Sequence, residues 1–300
     1  MQKAPYLEHV LGDTWCIVTG FCRIPLYMPD RGNAVMMDSG LIKVDRDGIL
    51  ELLEREGIHI TSLLTSHFHR DHIGNHKAIQ EKHGCAIYMT PFAAIIAEER
   101  GNLQFTGYET YVFTRARGDY PYSRPDHLIP RDSSQVTASG YTFELLWLPG
   151  HAVEQVGFVT PDGVAYLADT LLSEHLLQAI RLPYYTNLKL DLEAKEALRK
   201  LHYKRYILAH NGVCDSLDRL IDQNIATAHA KASMVESLAD HWQTLEQLCA
   251  SVMAHVGVDC SELSKVVGSK RNIQVLVEYL LETGRLTARA RDGYIEYKVK

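Results

Sequence analysis

The stretch TSHFHRDHIGN spans positions 65–75, and within it the six residues from His67 to His72 include three histidines and one aspartate. In an extended segment side chains alternate with period two, so His67 and His69 point the same way and Asp71 and His72 fall just beyond them. Two imidazoles that reach one point, followed by a carboxylate and a third imidazole, make a donor set suited to a metal ion. The plain alternative is a polar loop that happens to be rich in histidine. The flanks weigh against it: HITSLLTS, residues 59–66, reads as a buried strand, and IGNHKAIQEKHG, residues 73–84, reads as a helix. The cluster therefore sits on a loop between a strand end and a helix start, where α/β proteins commonly place their chemistry.

Outward from this loop the texture alternates strand and helix up to about residue 210. WCIVTGF (15–21) and NAVMMDSG (33–40) read as short β segments, the second closing in a turn at Asp38-Ser39-Gly40, and ILELLEREG (49–57) as a helix ended by Gly57. CAIYMT (85–90) reads as a strand, PFAAIIAEER (91–100) as a helix, and residues 101–135 as an irregular, aromatic-rich insertion expected to form a lid or pocket wall. YTFELLWLPG (141–150) and QVGFVTPDGVAYLAD (155–169) read as strands with a Pro-Asp-Gly turn, LDLEAKEALRKL (190–201) as an amphipathic helix and RYILAHNG (205–212) as a strand. Three further donors, His151, Asp169 and His210, each fall at the end of such a strand. Strand ends converge on one rim of a sheet. Together with the loop they supply seven nitrogen and oxygen ligands, enough for two metal ions with open positions for water and substrate.

In this order HFHRDH, Pro-Gly-His at His151, the Asp169-Thr170 pair and the final His210, preceded by Asp38-Ser39-Gly40, the chain resembles the metallo-β-lactamase-fold hydrolases over roughly residues 10–215. The resemblance implies an α/β fold, an αββα sandwich with the ligands at one edge of two packed sheets. It also implies that His67, His69 and His151 hold one ion, that Asp71, His72 and His210 hold a second, and that Asp169 bridges both. The sequence departs from the family's pattern at Asn211-Gly212, where many members have His-Gly directly. The implied cofactors are two divalent metal ions, with Zn²⁺ the default and iron or manganese the alternatives for the same donors. The expected chemistry is hydrolysis by a hydroxide held between the ions, with Asp169 and Asp71 as catalytic residues and Asp71 suggested to orient the hydroxide as well as to ligate. Substrates handled by relatives of this fold include thioesters, lactones, β-lactams and phosphodiesters. A small-molecule ester, thioester or lactone is the expectation here, with Tyr184 and Tyr185 of Leu182-Pro183-Tyr184-Tyr185 expected in the pocket. His76, one helical turn after His72, is expected at the surface or behind the ligands.

Composition bounds the rest. The 300 residues are 46% hydrophobic and 23% charged, which suits one large domain and a small one. The apolar runs are strand-sized and MQKAPYLEHVLGDTW lacks a signal-peptide pattern, so neither a membrane span nor secretion is expected and the expected location is cytoplasmic. Six cysteines lie far apart without a C-x-x-C pair, arguing against a disulfide framework or a cysteine zinc site. The formal net charge is −6, yet residues 265–300 carry eight Lys or Arg against four Asp or Glu, so this tail is +4 and the remainder −10. The expected division is a catalytic domain over 1–215 and a helical linker with a winged-helix-like domain over 216–300. LDRLIDQNIATAHAKASMVESLADHWQTLEQLCASVMAHVG (217–257) reads as helices. ELSKVV (262–267) and IQVLVEYLLETG (273–284) read as two shorter helices joined by GSKRN, and RLTARARDGYIEYKV (285–299) as a hairpin with an Asp-Gly turn. Lys270, Arg271, Arg285, Arg289 and Arg291 could meet phosphates, so a nucleic-acid-directed phosphodiesterase is the rival function, weakly signalled at a pI near 6.2. The resemblance implies instead that the C-terminal domain caps the active site or mediates a homodimer.

Overall fold

The computed structural model describes residues 4–30, 32–99, 102, 120–210 and 212–300, so residues 101 and 103–119 of the expected aromatic wall, and Asn211, lie outside the described residues. A first sheet runs in chain order through β1 (Tyr6–Leu11), β2 (Thr14–Val18), β3 (Arg23–Asp30), β4 (Asn33–Met37), β5 (His59–Leu64), β6 (Ala86–Met89) and β7 (His127–Leu128). Its first four strands pair antiparallel and β4 to β7 pair in parallel. The second sheet is formed by β8 (Gln135–Ala138), β9 (Tyr141–Trp147), β10 (Val156–Val159), β11 (Val164–Tyr166), β12 (Arg205–Leu208) and β13 (Gly212–Cys214), in the spatial order 13-12-11-10-9-8. Only β11 and β12 pair in parallel there.

Side-chain alternation turns these sheets into four layers. Val35 and Met37 of β4 face Phe158 of β10 and Val164 and Tyr166 of β11 in a core between the sheets. Ala34 and Met36 face the opposite way, onto α1 (Arg46–Arg55), α2 (His76–His83) and α3 (Pro91–Glu98), through Ile49, Leu52, Ile79 and Ile96. On the far side of the second sheet, Ala165, Leu167 and Leu208 meet Ala194 and Leu198 of α5 (Leu188–Leu198) and Ile221 of α6 (Asp218–Leu238); a short α4 (Glu174–Ala179) precedes α5. Strands apolar on both faces are what such a sandwich requires, and each fully buried aliphatic or aromatic side chain stabilises by roughly 1.5–3 kcal/mol. The result is the expected αββα sandwich. The hairpin strands β1 and β3, and the short β7 and β8, were not assigned from the sequence.

The C-terminal region adds β14 (Gln243–Thr244), α7 (Leu245–His255), α8 (Leu263–Glu282), β15 (Leu286–Arg291) and β16 (Tyr294–Val299) to the distal half of α6. Its small antiparallel sheet has the order 14-16-15, and the expected Asp292-Gly293 turn joins β15 to β16. Two expectations change here. The segments on either side of GSKRN form one continuous helix, α8, rather than two. A glycine inside a helix costs only about 1 kcal/mol, and Ile273, Leu276, Val277 and Leu280, spaced to share one face, outweigh it by packing into the core. Nor is that core made by the C-terminal residues alone, since Leu182, Tyr185 and Leu188 are buried in it. Among the described residues, no helix is long and apolar enough to cross a membrane.

Candidate metal centre

All seven predicted donors meet at one rim, where the carboxyl ends of β4, β5, β11 and β12 converge. Backbone bonds tie the two sheets together there: Val156 N donates to Ser66 O at 3.0 Å and Arg23 N to Ala209 O at 2.7 Å. The histidine loop after β5 closes in a tight turn, with His72 N and Ile73 N both donating to His69 O. Gly74 lets this turn press against the Asp38–Gly40 loop, because a Cβ there would lie 2.2 Å from Gly40 O. The His151 loop is held from the other side by Thr186 N and Asn187 N, which donate to Gly150 O, and by Thr186 Oγ1, which donates to His151 O at 2.8 Å. Asp169 follows Ala168, which adopts a left-handed φ of 46°, a costly conformation for a residue with a side chain. Thr170 Oγ1 anchors that turn by donating to Leu167 O at 2.8 Å.

The donors fall into two groups, His67, His69, His151 and Asp169, and Asp71, His72, Asp169 and His210, each with its ligand atoms within 4.8 Å of one another. Asp169 belongs to both. Its Oδ2 lies 3.2 Å from His151 Nε2, and its Oδ1 lies 3.3 Å from both His72 Nε2 and His210 Nε2. Asp71 Oδ2 stands 3.2 Å from His210 Nε2. His151 Nε2 and His69 Nδ1 are 3.0 Å apart. His67 Nε2 and Asp169 Oδ1 are buried without a hydrogen bond, an arrangement that is costly unless a cation completes it. Imidazole and carboxylate donors in this number fit a divalent metal ion.

Protonation follows from burial and the two carboxylates. Burial, with the neighbouring imidazoles, holds His67 and His69 well below the usual histidine range, so both stand neutral and ready to ligate. Burial also opposes a charge on His72 and His210, but Asp169, with Asp38 or Asp71, outweighs it and pulls both well above that range. Burial would raise Asp71 and Asp169, yet the adjacent histidines hold both low. Before metal arrives the second group therefore carries protons on its imidazoles, and a cation must displace them.

Behind the donors lies a network of which the sequence reading gave the Asp38 turn and, as one of two alternatives, His76. Asp38, 1% exposed, accepts from Ser66 N at 2.8 Å, Ser66 Oγ at 2.6 Å, Tyr166 OH at 2.6 Å and His72 Nδ1 at 2.7 Å. The last bond fixes the His72 tautomer so that Nε2 faces Asp169. His210 Nδ1 donates to Phe21 O at 3.2 Å with the same effect. His76 is fully buried, bonded to Thr65 Oγ1 and Ser39 Oγ at 2.7 Å each, so it supports the loop from behind and does not face solvent. Tyr166 carries no sequence signal, since its place in β11 looks like any inward apolar position. Of the two tyrosines expected in the pocket, Tyr184 stacks edge-on against His69 and His151, its ring 5.2 Å from each, whereas Tyr185 is carried into the C-terminal core.

The sequence model of the metallo-beta-lactamase superfamily matches residues 29–210, more than half of the chain and the span that carries all seven donors. The chain belongs to the metallo-beta-lactamase superfamily. This member is accordingly a metal-dependent hydrolase, and the cluster is its candidate divalent-metal site. The chain is 24% identical over 143 residues to the hydroxyacylglutathione hydrolase of Chromohalobacter salexigens, covering 47% of this chain and 44% of that protein. It is 23% identical over 147 residues to hydroxyacylglutathione hydrolase GloC of Haemophilus influenzae, covering 49% and 65%. The matches thus span less than two thirds of the length of these curated relatives. Among solved structures, a metallo-beta-lactamase family protein of Thermus thermophilus superposes with a TM-score of 0.72 at 18% identity, over 93% of this chain and 94% of that one. That likeness extends the shared fold of this superfamily member across the C-terminal region.

Proposed function

We propose that this protein is a dinuclear metallohydrolase that cleaves a small-molecule thioester, ester or lactone. The observation that carries the reading is Asp169, whose two oxygens face two separate histidine groups. His67, His69 and His151 would hold one ion, Asp71, His72 and His210 the other, and Asp169 both. Zn²⁺ is the first choice and iron or manganese the alternatives. Bound there, the ions would lower the pKa of water toward neutrality and polarise the scissile carbonyl. Asp71, whose carboxylate is 20% exposed, would orient the attacking water by accepting a hydrogen bond from it as well as ligate, while Asp38 keeps the proton of His72 on Nδ1. The oxygen of water joins the carbonyl carbon, the bond to sulfur or oxygen breaks, and a proton of that water passes to the departing thiol or alcohol.

We read the division as a catalytic domain over 1–215 and a winged-helix-like unit over 216–300, and the unit as a cap rather than a nucleic-acid grip. Four of the five cations considered for phosphate contact are engaged with acids: Lys270 with Glu246, Arg285 with Glu236, Arg289 with Glu296 at 2.7 Å and Arg291 with Asp292 at 3.4 Å. The fifth, Arg271, stacks on Tyr184 beside the cluster. The test is turnover of a thioester, a lactone, a β-lactam and a bis-aryl phosphate by the metal-replete protein and its Asp169→Ala variant. Acyl turnover lost in the variant supports the reading. Phosphate turnover alone would move the assignment to the phosphodiesterase, and full activity with intact metal content in the variant would refute the shared role of Asp169.

A further inference from the structure

The loop that carries His151 is fastened from three directions. Gln155 closes its base, with Nε2 donating to Leu148 O at 3.3 Å and to Thr170 Oγ1 at 3.0 Å. Thr186 N and Asn187 N hold the flank that faces α5. The third fastening is Glu154, three residues after His151. Its backbone has a φ of 55°, a left-handed conformation that is unfavourable for a residue with a side chain and is retained only where the surrounding structure fixes it.

The side chain supplies that fixing. Phe92 N donates to Glu154 Oε2 at 2.8 Å, and Arg131 Nε meets Glu154 Oε1. Because Pro91 has no N–H, Phe92 N is the first donor of α3. Thr90, the residue placed to cap this helix, makes no cap bond, and its hydroxyl is buried without a partner. Glu154 therefore caps α3 from a different segment of the chain, and the helix dipole favours its carboxylate there. The bracing continues to the ligands. Phe92 packs edge-on against Phe68 with ring centroids 5.8 Å apart, and Phe68 packs in turn against His69 at 5.0 Å. Phe68 stands between His67 and His69 in the chain, and Ala152, next to His151, is buried in the same apolar cluster. One carboxylate thus joins the loop of the third histidine in the first donor group to the helix that backs the other two. In the second group, His72 and His210 are fixed by Asp38 and by Phe21 O instead.

We infer that Glu154 is a positioning residue of the metal centre, setting the distance between His151 and the His67–His69 pair so that it tunes the first donor group and not the second. The inference rests on the dinuclear reading for the existence of two separable ions.

The experiment measures stepwise Zn²⁺ binding by the metal-free protein in competition with a chromophoric chelator, for the wild type, Glu154→Gln and Glu154→Gly. Glycine suits a φ of 55°, so Glu154→Gly removes the carboxylate while relieving the backbone, and glutamine keeps an acceptor for Phe92 N without the charge. Groups that orient metal ligands are worth about 10–100-fold in affinity, and Glu154 acts one step further out, so Glu154→Gly should weaken one constant about tenfold and leave the other within about threefold. Glu154→Gln should fall in between. Adding His210→Ala, which removes a donor of the second group, should leave the sensitive constant in place. Both constants falling together, as a loss of folding stability would cause, or neither moving, overturns the inference and leaves the dinuclear reading intact. Loss of the sensitive constant with His210→Ala overturns it as well. If the wild type binds a single ion, the dinuclear reading falls and that ion decides. A constant about tenfold weaker in Glu154→Gly, at an unchanged denaturation midpoint, sustains the positioning role, and any other result overturns it.

Discussion

Replacing Asp38 with asparagine separates the charge behind the metal site from its geometry. Asp38 adopts a φ of 63°, which asparagine tolerates better than most residues, so the substitution adds little backbone strain. Its two oxygens accept four buried bonds, one at Oδ1 and three at Oδ2. An amide can keep the three only by turning its NH₂ toward Ser66 N, which sets donor against donor, and the bonds it keeps lose their charge assistance. One buried charged bond lost, at about 1.5–3 kcal/mol, plus weakening of the others, predicts a loss of roughly 4 kcal/mol of folding stability. His72 also loses the carboxylate that fixes its tautomer, which should weaken metal binding by about 10–100-fold. Chemical denaturation and metal titration against a competing chelator read the two effects. Metal affinity within threefold of wild type together with unchanged stability would refute the account of Asp38 as the anchor of His72.

Gly150→Ala should destabilise and reduce metal content, because the glycine has a φ of 132° and its Cβ would lie 2.2 Å from Asp191 Cα; metal analysis of the purified variant checks this. His76 is held at a pKa of about 4 by burial, so the unfolded chain binds its proton first. Its contribution is therefore present above the ordinary histidine pKa and is lost as pH falls from about 6.5 to about 4, by about 3 kcal/mol. Denaturant midpoints at pH 7.5 and 4.5 should differ less in His76→Gln than in the wild type. Removing the metal should lower the melting temperature, and by less as pH falls, because a cation must displace the protons held on His72 and His210; calorimetry with and without chelator measures it.

The histidine loop was legible because its spacing is chemically improbable in a solvated turn and its flanks are a strand and a helix. His151, Asp169 and His210 were legible once strand ends were counted as one rim. Their pairing into two groups, with Asp169 shared, was implied by resemblance and not by spacing, and the coordinates bring the two oxygens of Asp169 to both groups. Tyr166 was not legible, because a buried phenol on an alternating strand is written like any core residue and its partner Asp38 lies 128 residues away. GSKRN misled because glycine and serine raise the local cost of helix, a cost that the buried face of Ile273, Leu276, Val277 and Leu280 overrides. Tyr184 and Tyr185 are neighbours with opposite fates for a simple reason: in an irregular segment adjacent side chains diverge, and only coordinates decide which one meets the histidines.

The segment running from Arg181 to Leu188 belongs to both halves of the molecule. Leu182, Tyr185 and Leu188 fill the C-terminal core, whereas Tyr184 and Thr186 touch the His151 loop. A chain cut near residue 215 would leave those three apolar side chains wet, and a graft of a foreign C-terminal unit onto this sandwich would meet a seam cut for another partner. Exchanging specificity between relatives of this architecture therefore means transplanting residues 181–188 along with the unit they insert into, so that the seam and its occupant are inherited together.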